Sequence, residues 1–193
     1  MNVSLYQSIS KKKSIVDVIA NLMDEEGLKN VTIKDICEEA NISVGSFYHY
    51  FTSKDSIVQE MYKLMDEYFL LNKDNICSHF TANEDIIDFV THFGLYAEQW
   101  GYYANLLVMK TAIADDALHS NRQRRKIYNV LTEIIETGIR EKFFKISIDA
   151  DDLASTIFVL MRGYLLEWTK KGHDYPVREK MVRQVEWLLK SIS

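Results

Sequence analysis

Apolar residues recur at spacings of three and four along most of the chain, the period of a helix with one buried stripe. Ile15, Val16, Ile19, Ala20 and Met23 fall at this spacing, and predict a first helix over about residues 10–26 with Gly27 as its left-handed stop. Thr32 with Asp35 three residues later forms a capping-box start for a second helix, whose inner stripe is Ile33, Ile36, Cys37 and Ala40. Asn41 and Ile42 read as a tight turn with Ile42 pointing inward. Ser43 is placed to cap a third helix anchored by Phe47 and Phe51. Ser53 is placed to cap a fourth, carrying Ile57, Met61, Leu64, Met65, Tyr68 and Leu71 on one side.

Past Asn72 the segments near 84–99, 102–113, 119–145, 150–171 and 177–191 keep the helical period. Asp149 reads as a cap, Gly172 as a stop and Pro176 as the opening of the last helix. No segment alternates as a strand does, so the expected fold is all-α with about nine helices. The segment 150–171 is apolar on two faces: Leu153, Ile157, Leu160 and Tyr164 on one, and Ala154, Phe158, Met161, Leu165 and Trp168 on the other. Two apolar faces call for two burials, one against the chain's own core and one against a second copy. The last helix repeats the theme with Val177, Met181, Val185, Leu188 and Leu189. A homodimer is therefore expected, with Leu153, Ile157, Leu160, Tyr164, Met181, Val185 and Leu188 at its interface.

Composition narrows the class. With 193 residues, 47% of them hydrophobic, one Pro and seven Gly, the chain has a substantial core and few helix breakers. No run approaches the ~20 apolar residues of a membrane span, and the cluster Lys11–Lys12–Lys13 precedes no apolar signal core. Cys37 and Cys77 have no metal-binding spacing and read as free thiols of a reducing compartment, so a cytoplasmic protein is expected. The net charge of −5 does not advertise a nucleic-acid binder. Residues 1–54 hold six lysines (11, 12, 13, 29, 34, 54) and seven acids (17, 24, 25, 26, 35, 38, 39), a net of −1, so any affinity for DNA depends on where the cations sit.

Two short helices, a tight turn and an aromatic-rich recognition element make residues 32–54 a helix-turn-helix pattern. The string V-G-S-F-Y-H-Y-F, followed by S-K-D at a new helix start, closely resembles the TetR family of bacterial transcriptional repressors, over about residues 10–62. The resemblance implies a three-helix DNA-binding head over 1–53 and a ligand-binding and dimerisation body over 54–193. It implies that Thr32 and Lys34 contact the backbone or an adjacent base, and that Ser43, Tyr48, His49 and Lys54 bind phosphates. Val44, Gly45 and Ser46 would face base edges: Gly45 lets the backbone come close, Val44 can pack on a thymine methyl, and Ser46 can donate or accept. No Arg, Asn or Gln stands in this recognition helix, so the sharpest bidentate readers of guanine and adenine are missing. A dimer would present two such helices one DNA turn apart and read an inverted repeat.

The body concentrates aromatics: Phe89, Phe93, Tyr96, Trp100, Tyr102 and Tyr103, with Phe158, Tyr164 and Trp168 downstream. The resemblance implies an apolar pocket for a small apolar or aromatic effector, lined by Phe89, His92, Phe93, Tyr96, Trp100, Tyr103, Phe158 and Arg162, with Gln99 and Asn105 as further polar candidates. No phosphate loop, zinc-protease helix, paired-cysteine metal site or nucleophile elbow occurs, and the five histidines are scattered. No enzymatic activity, cofactor or metal is expected. Asp115–Asp116 and Asp151–Asp152 read as helix N-terminal charges, and R-Q-R-R-K at 122–126 as a solvated face. The expected function is a repressor released from its operator by an effector. The near-neutral head leaves one alternative, the same fold acting as a protein-binding regulator without DNA recognition.

Overall fold

The computed structural model describes residues 3–26, 30–53, 56–114, 125–144, 147–172 and 174–192, with side chains apart from 3–10, 23, 24, 26, 102, 103, 107 and 110–114. Among the described residues there are nine helices and no strand: α1 (Val3–Glu26), α2 (Ile33–Glu39), α3 (Val44–Tyr50), α4 (Ser56–Leu71), α5 (Lys73–Ile76), α6 (Ala82–Ala114), α7 (Lys126–Arg140), α8 (Ala150–Lys170) and α9 (Val177–Ile192). They form two compact units, Met1–Met65 with Trp100–Ala114, and Asp66–Gln99 with Asp115–Ser193.

In the first unit, α1 starts at Val3, earlier than the apolar period suggests; no Gly or Pro interrupts that stretch. The expected Gly27 stop lies outside the described residues. Ile15, Val16 and Ile19 of α1 are buried, as are Ile36, Phe47, Phe51, Ile57, Val58 and Met61, and they build the core of this unit. Ile33, Ala40 and Ile42 are only half-buried. Across this core the Lys12 ammonium of α1 donates to Glu60 Oε2 of α4 at 2.7 Å, and Lys63 donates to Glu60 Oε1 at 2.5 Å.

The second unit buries Phe69, Ile76, Ile86, Phe89, Val90, Leu131, Ile135, Ala154, Ile157, Met161, Val177 and Val185. Leu71, expected on the inner side of α4, is exposed. Asn72 stops that helix, its Nδ2 donating to the Tyr68 carbonyl at 2.8 Å, and the single turn α5 follows, which the apolar period does not reveal. Thr81 and Glu84 cap α6 reciprocally: the Glu84 N–H donates to Thr81 Oγ1 and the Thr81 N–H to Glu84 Oε2. The two segments expected at 84–99 and 102–113 are one element broken at Gly101, whose φ of 70° and ψ of −173° belong to a region essentially closed to other residues.

Helix α7 ends at Arg140, short of the expected 145, because Lys142 turns left-handed with φ 62°. The Phe143 N–H then donates to the Gly138 carbonyl and the Lys142 N–H to the Ile139 carbonyl, a Schellman closure with lysine in the usual glycine place. At its other end α7 borrows its cap, since the Ile127 N–H donates to Asp66 Oδ1 at 3.2 Å and Arg125 pairs with the same carboxylate at 3.0 Å. Asp149 caps α8 through the Asp152 N–H, and Gly172 closes it at φ 69°. Pro176 precedes α9, its carbonyl accepting from the Lys180 N–H. Helices α6 and α9 touch closely: a Cβ on Gly94 would stand 2.7 Å from Arg178 Cβ and 2.8 Å from its Cα.

Candidate nucleic-acid interface

The interface is built from two short helices and their caps. At the start of α2 the Asp35 N–H donates to Thr32 Oγ1, while the Thr32 N–H and hydroxyl both donate to Asp35 Oδ2. At its end Asn41 adopts φ 49°, and the Ile42 N–H donates to the Cys37 carbonyl at 2.9 Å, so a left-handed asparagine makes the turn. Two residues later the Ser46 N–H donates to Ser43 Oγ at 3.0 Å and opens α3.

Only one side of α3 is held. Phe47 is fully buried and packs against Phe51, the ring centroids 5.2 Å apart and the planes tilted by 34°, which fixes the helix on its unit. The opposite side leaves Val44 at 50% and Tyr48 at 51% exposure, with Gly45 and His49 also exposed. Tyr48 rests edge-on against Phe47 at 5.5 Å, so its ring is oriented although its face is free. The Ser46 hydroxyl lies 2.9 Å from Ser43 Oγ, an exposed contact within the chain. Ser43, Val44, Gly45, Tyr48 and His49 thus share one solvent-facing surface. Thr32 is committed to its cap, and Lys54 lies outside the described residues.

The cations nearby have partners of their own. Lys12 pairs with Glu60, Lys13 with Asp17 at 2.7 Å and Lys34 with Glu38 at 3.4 Å. Burial pushes the Glu60 carboxyl up, but the hydrogen bonds and charges of Lys12 and Lys63 outweigh it and hold it below the usual range. The Lys13 and Lys34 pairs are exposed and weak, and a phosphate can displace either acid. The Lys12 pair is not of that kind.

A profile of the family described as bacterial regulatory proteins, tetR family, matches residues 15–61, the segment carrying α2, α3 and their caps. The chain is 26% identical over 171 residues to the HTH-type transcriptional repressor KstR2 of Rhodococcus jostii, covering 80% of this chain and 79% of that one.

Residues 15–61 are thus similar to the TetR family.

It is also 22% identical over 175 residues to the fatty acid metabolism regulator protein of Bacillus subtilis, covering 88% of this chain and 89% of that one. The crystal structure of the transcriptional regulator FadR from Bacillus subtilis in complex with stearoyl-CoA shares the fold with a TM-score of 0.71 at 20% identity, over 94% of this chain and 99% of that one.

The residues expected to line an effector pocket are distributed unevenly. Phe89, His92, Phe93, Tyr96, Phe158 and Arg162 belong to the second unit; Trp100 belongs to the first, and the Tyr103 side chain lies outside those described. Phe89 meets Phe158 edge-on at 6.0 Å, Tyr128 stacks on Phe158 at 5.2 Å, and the Arg162 guanidinium lies 5.5 Å from the Phe158 ring. His92 Nδ1 lies 2.6 Å from the Tyr68 hydroxyl and Nε2 3.6 Å from Asp88 Oδ2, a polar chain that helical spacing alone does not reveal because Tyr68 comes from another helix. Burial, and then the Asp88 charge, raise the Tyr68 pKa, so its hydroxyl stays protonated. One groove of about 450 Å³ is lined by His79, Asn83, Glu84, Ile87, Asp88, Thr91, Glu186, Leu189 and Lys190, none of them among the expected pocket residues. No cluster of three metal-ligating side chains and no helix long and apolar enough to cross a membrane occurs among the described residues.

The seven residues expected at a dimer interface differ in exposure. Leu153, Ile157, Met181 and Val185 are buried within the protomer. Leu160, Tyr164 and Leu188 are half-buried, while Val159 at 60% and Trp187 at 59% are the large apolar side chains that α8 and α9 expose. In α8 the other expected apolar side, Ala154, Phe158, Met161, Leu165 and Trp168, is buried within the protomer as well.

Proposed function

We propose that the protein is a homodimeric, cytoplasmic transcriptional repressor, without enzymatic activity, that binds an inverted-repeat operator and is released by an apolar effector. Residues 1–53 bind DNA and residues 54–193 hold the effector and the dimer contact. One observation carries the reading: α3 is capped by Ser43, pinned inward by Phe47 and free along Val44, Tyr48 and His49, within the segment that matches the family profile. The surface is held rigidly and left unoccupied by the protein itself, which is what insertion into a major groove requires. Tyr48, His49, Ser43 and Lys54 contact phosphates, Thr32 and Lys34 flank them, and Val44, Gly45 and Ser46 lie toward the bases.

The relatives support one effector class. A regulator of fatty acid metabolism and a same-fold regulator crystallised with stearoyl-CoA support a long-chain acyl thioester. Aromatic residues Phe89, Phe93, Tyr96 and Phe158 suit its chain, and His92 and Arg162 its polar end. Val159, Leu160, Tyr164, Trp187 and Leu188 form the dimer contact. An effector acts here only by as much as it prefers the DNA-free arrangement of the two heads. Gel shift on DNA flanking the protein's own gene, titrated with stearoyl-CoA and with free stearate, tests this. Loss of the complex with the thioester supports the reading; a complex indifferent to both removes the effector class. The pairing of Lys12, Lys13 and Lys34 with acids favours a second reading, a head that binds protein instead of DNA. A pull-down with the full chain separates the two.

A further inference from the structure

We infer that the corner where α8 meets α9 is a binding site for a phosphate-bearing ligand, apart from the surface of α3 and from the aromatic residues expected around an effector. A cavity of about 320 Å³ opens at this corner, and its walls include Lys171, Lys180, Arg183, Tyr175, Glu167 and Glu179. The chain as a whole carries a net charge of −5, so three cations around one cavity run against its overall balance. Which of these groups are already engaged decides what the cavity can hold.

Glu167 is taken. It pairs with Lys171 at 3.1 Å and accepts from the Tyr175 hydroxyl at 3.1 Å, and these two contacts hold its carboxyl below the usual range. The same hydroxyl reaches the Tyr164 carbonyl at 3.3 Å, which ties the loop before α9 to α8. Lys180 and Arg183 differ, since among the described residues neither forms an ion pair. With the Lys171–Glu167 pair neutral, they outnumber the exposed Glu179. A guanidinium fork beside an ammonium suits an anion with several oxygens, phosphate above all. The cavity is roomier than a bare phosphate needs and lies at the lower end of small-molecule sites, about 300–1,000 Å³. It also continues, because Glu179 and Arg183 line a second cavity of about 350 Å³ beside Thr91 and Val182. The phosphate therefore belongs to a larger organic molecule. Two sources carry that chemistry, the nucleotide end of the thioester proposed above or a free phosphorylated metabolite. The first rests on the effector reading; the site itself does not.

Isothermal titration calorimetry on the full-length protein at low ionic strength tests it, with sodium pyrophosphate, stearoyl-CoA and free stearate as probes. The wild type should take up one pyrophosphate per chain. Lys180→Gln and Arg183→Gln should each weaken that binding about tenfold, the loss expected for one charge-assisted contact. Lys180→Arg should keep it, and Glu179→Gln should tighten it about threefold by removing the opposing charge. Lys126→Gln, at an exposed lysine of α7, should change nothing. If Arg183→Gln also weakens stearoyl-CoA about tenfold and leaves stearate untouched, the phosphates are the effector's. If pyrophosphate depends on Lys180 and Arg183 while stearoyl-CoA ignores them or does not bind, the site serves a free phosphorylated metabolite. Absent thioester binding ends the effector reading without touching this one. The inference is overturned if neither pyrophosphate nor stearoyl-CoA binds, if neither depends on Lys180 and Arg183, or if Lys126→Gln weakens binding as much.

Discussion

Replacing Glu60 by Gln removes one negative charge and leaves the volume in place. Its carboxylate, 11% exposed as a side chain, joins α1 to α4 by accepting from Lys12 at 2.7 Å and from Lys63 at 2.5 Å. A hydrogen bond to a charged group contributes about 1.5–3 kcal/mol, and breaking a fully buried pair costs about 3–5 kcal/mol. Lys12 is 28% exposed and Lys63 is mostly in water, so the loss belongs at the lower end, about 1–3 kcal/mol. The pH dependence separates charge from packing. Glu60 has a folded-state pKa below its unfolded value, so its contribution is fully present above the unfolded value and fades as pH falls through the folded one. Thermal melting of wild type and Glu60→Gln from pH 7 down to about 3 should therefore show a gap at neutral pH that narrows below about pH 4. Equal melting temperatures at pH 7, or a gap that persists undiminished in acid, would refute this account of how α1 is tied to α4.

Other consequences are as direct. Lys142→Gly should raise stability by about 0.5–1 kcal/mol, because glycine takes φ 62° without strain; Gly172→Ala, with nothing crowding its site, should lower it by a similar amount, both read by urea titration. Gly94→Ala drives a methyl into the Arg178 backbone and should cost about 1–3 kcal/mol, seen as a lower melting temperature. Tyr48→Ala should weaken binding to every DNA sequence with an unchanged salt slope, since the phenol carries no charge. Lys54→Ala should instead flatten the slope by roughly 0.9 for each phosphate the lysine had neutralised, measured by anisotropy over a salt series.

Features set by neighbouring residues were legible in the sequence. The Thr32–Asp35 capping box, the caps Ser43 and Asp149, the stop at Gly172 and the anchors Phe47 and Phe51 all follow from spacing, and each is found where expected. What depends on distant partners was not. The cap of α7 comes from Asp66, about sixty residues away, and the neutraliser of Lys12 from α4. A lysine ends α7 where a glycine signal is the usual guide, so the helix reads too long. Periodicity marks two apolar sides on α8 yet does not say how much of them its own core takes: Leu153 and Ile157 of one and Ala154, Phe158, Met161, Leu165 and Trp168 of the other are all buried within the protomer. On the candidate interface the residue types were legible, whereas the engagement of Ser46 by Ser43 and the pairing of Lys34 needed the folded geometry.

Operator recognition by α3 is the claim on which the rest depends. Fluorescence anisotropy at physiological salt, with labelled duplexes from around the protein's own gene and scrambled duplexes of equal composition, tests it most directly. At least one fragment should bind about a thousandfold more tightly than its scrambled counterpart, within the usual range of specific recognition. If every fragment binds no better than scrambled DNA, α3 is not reading an operator.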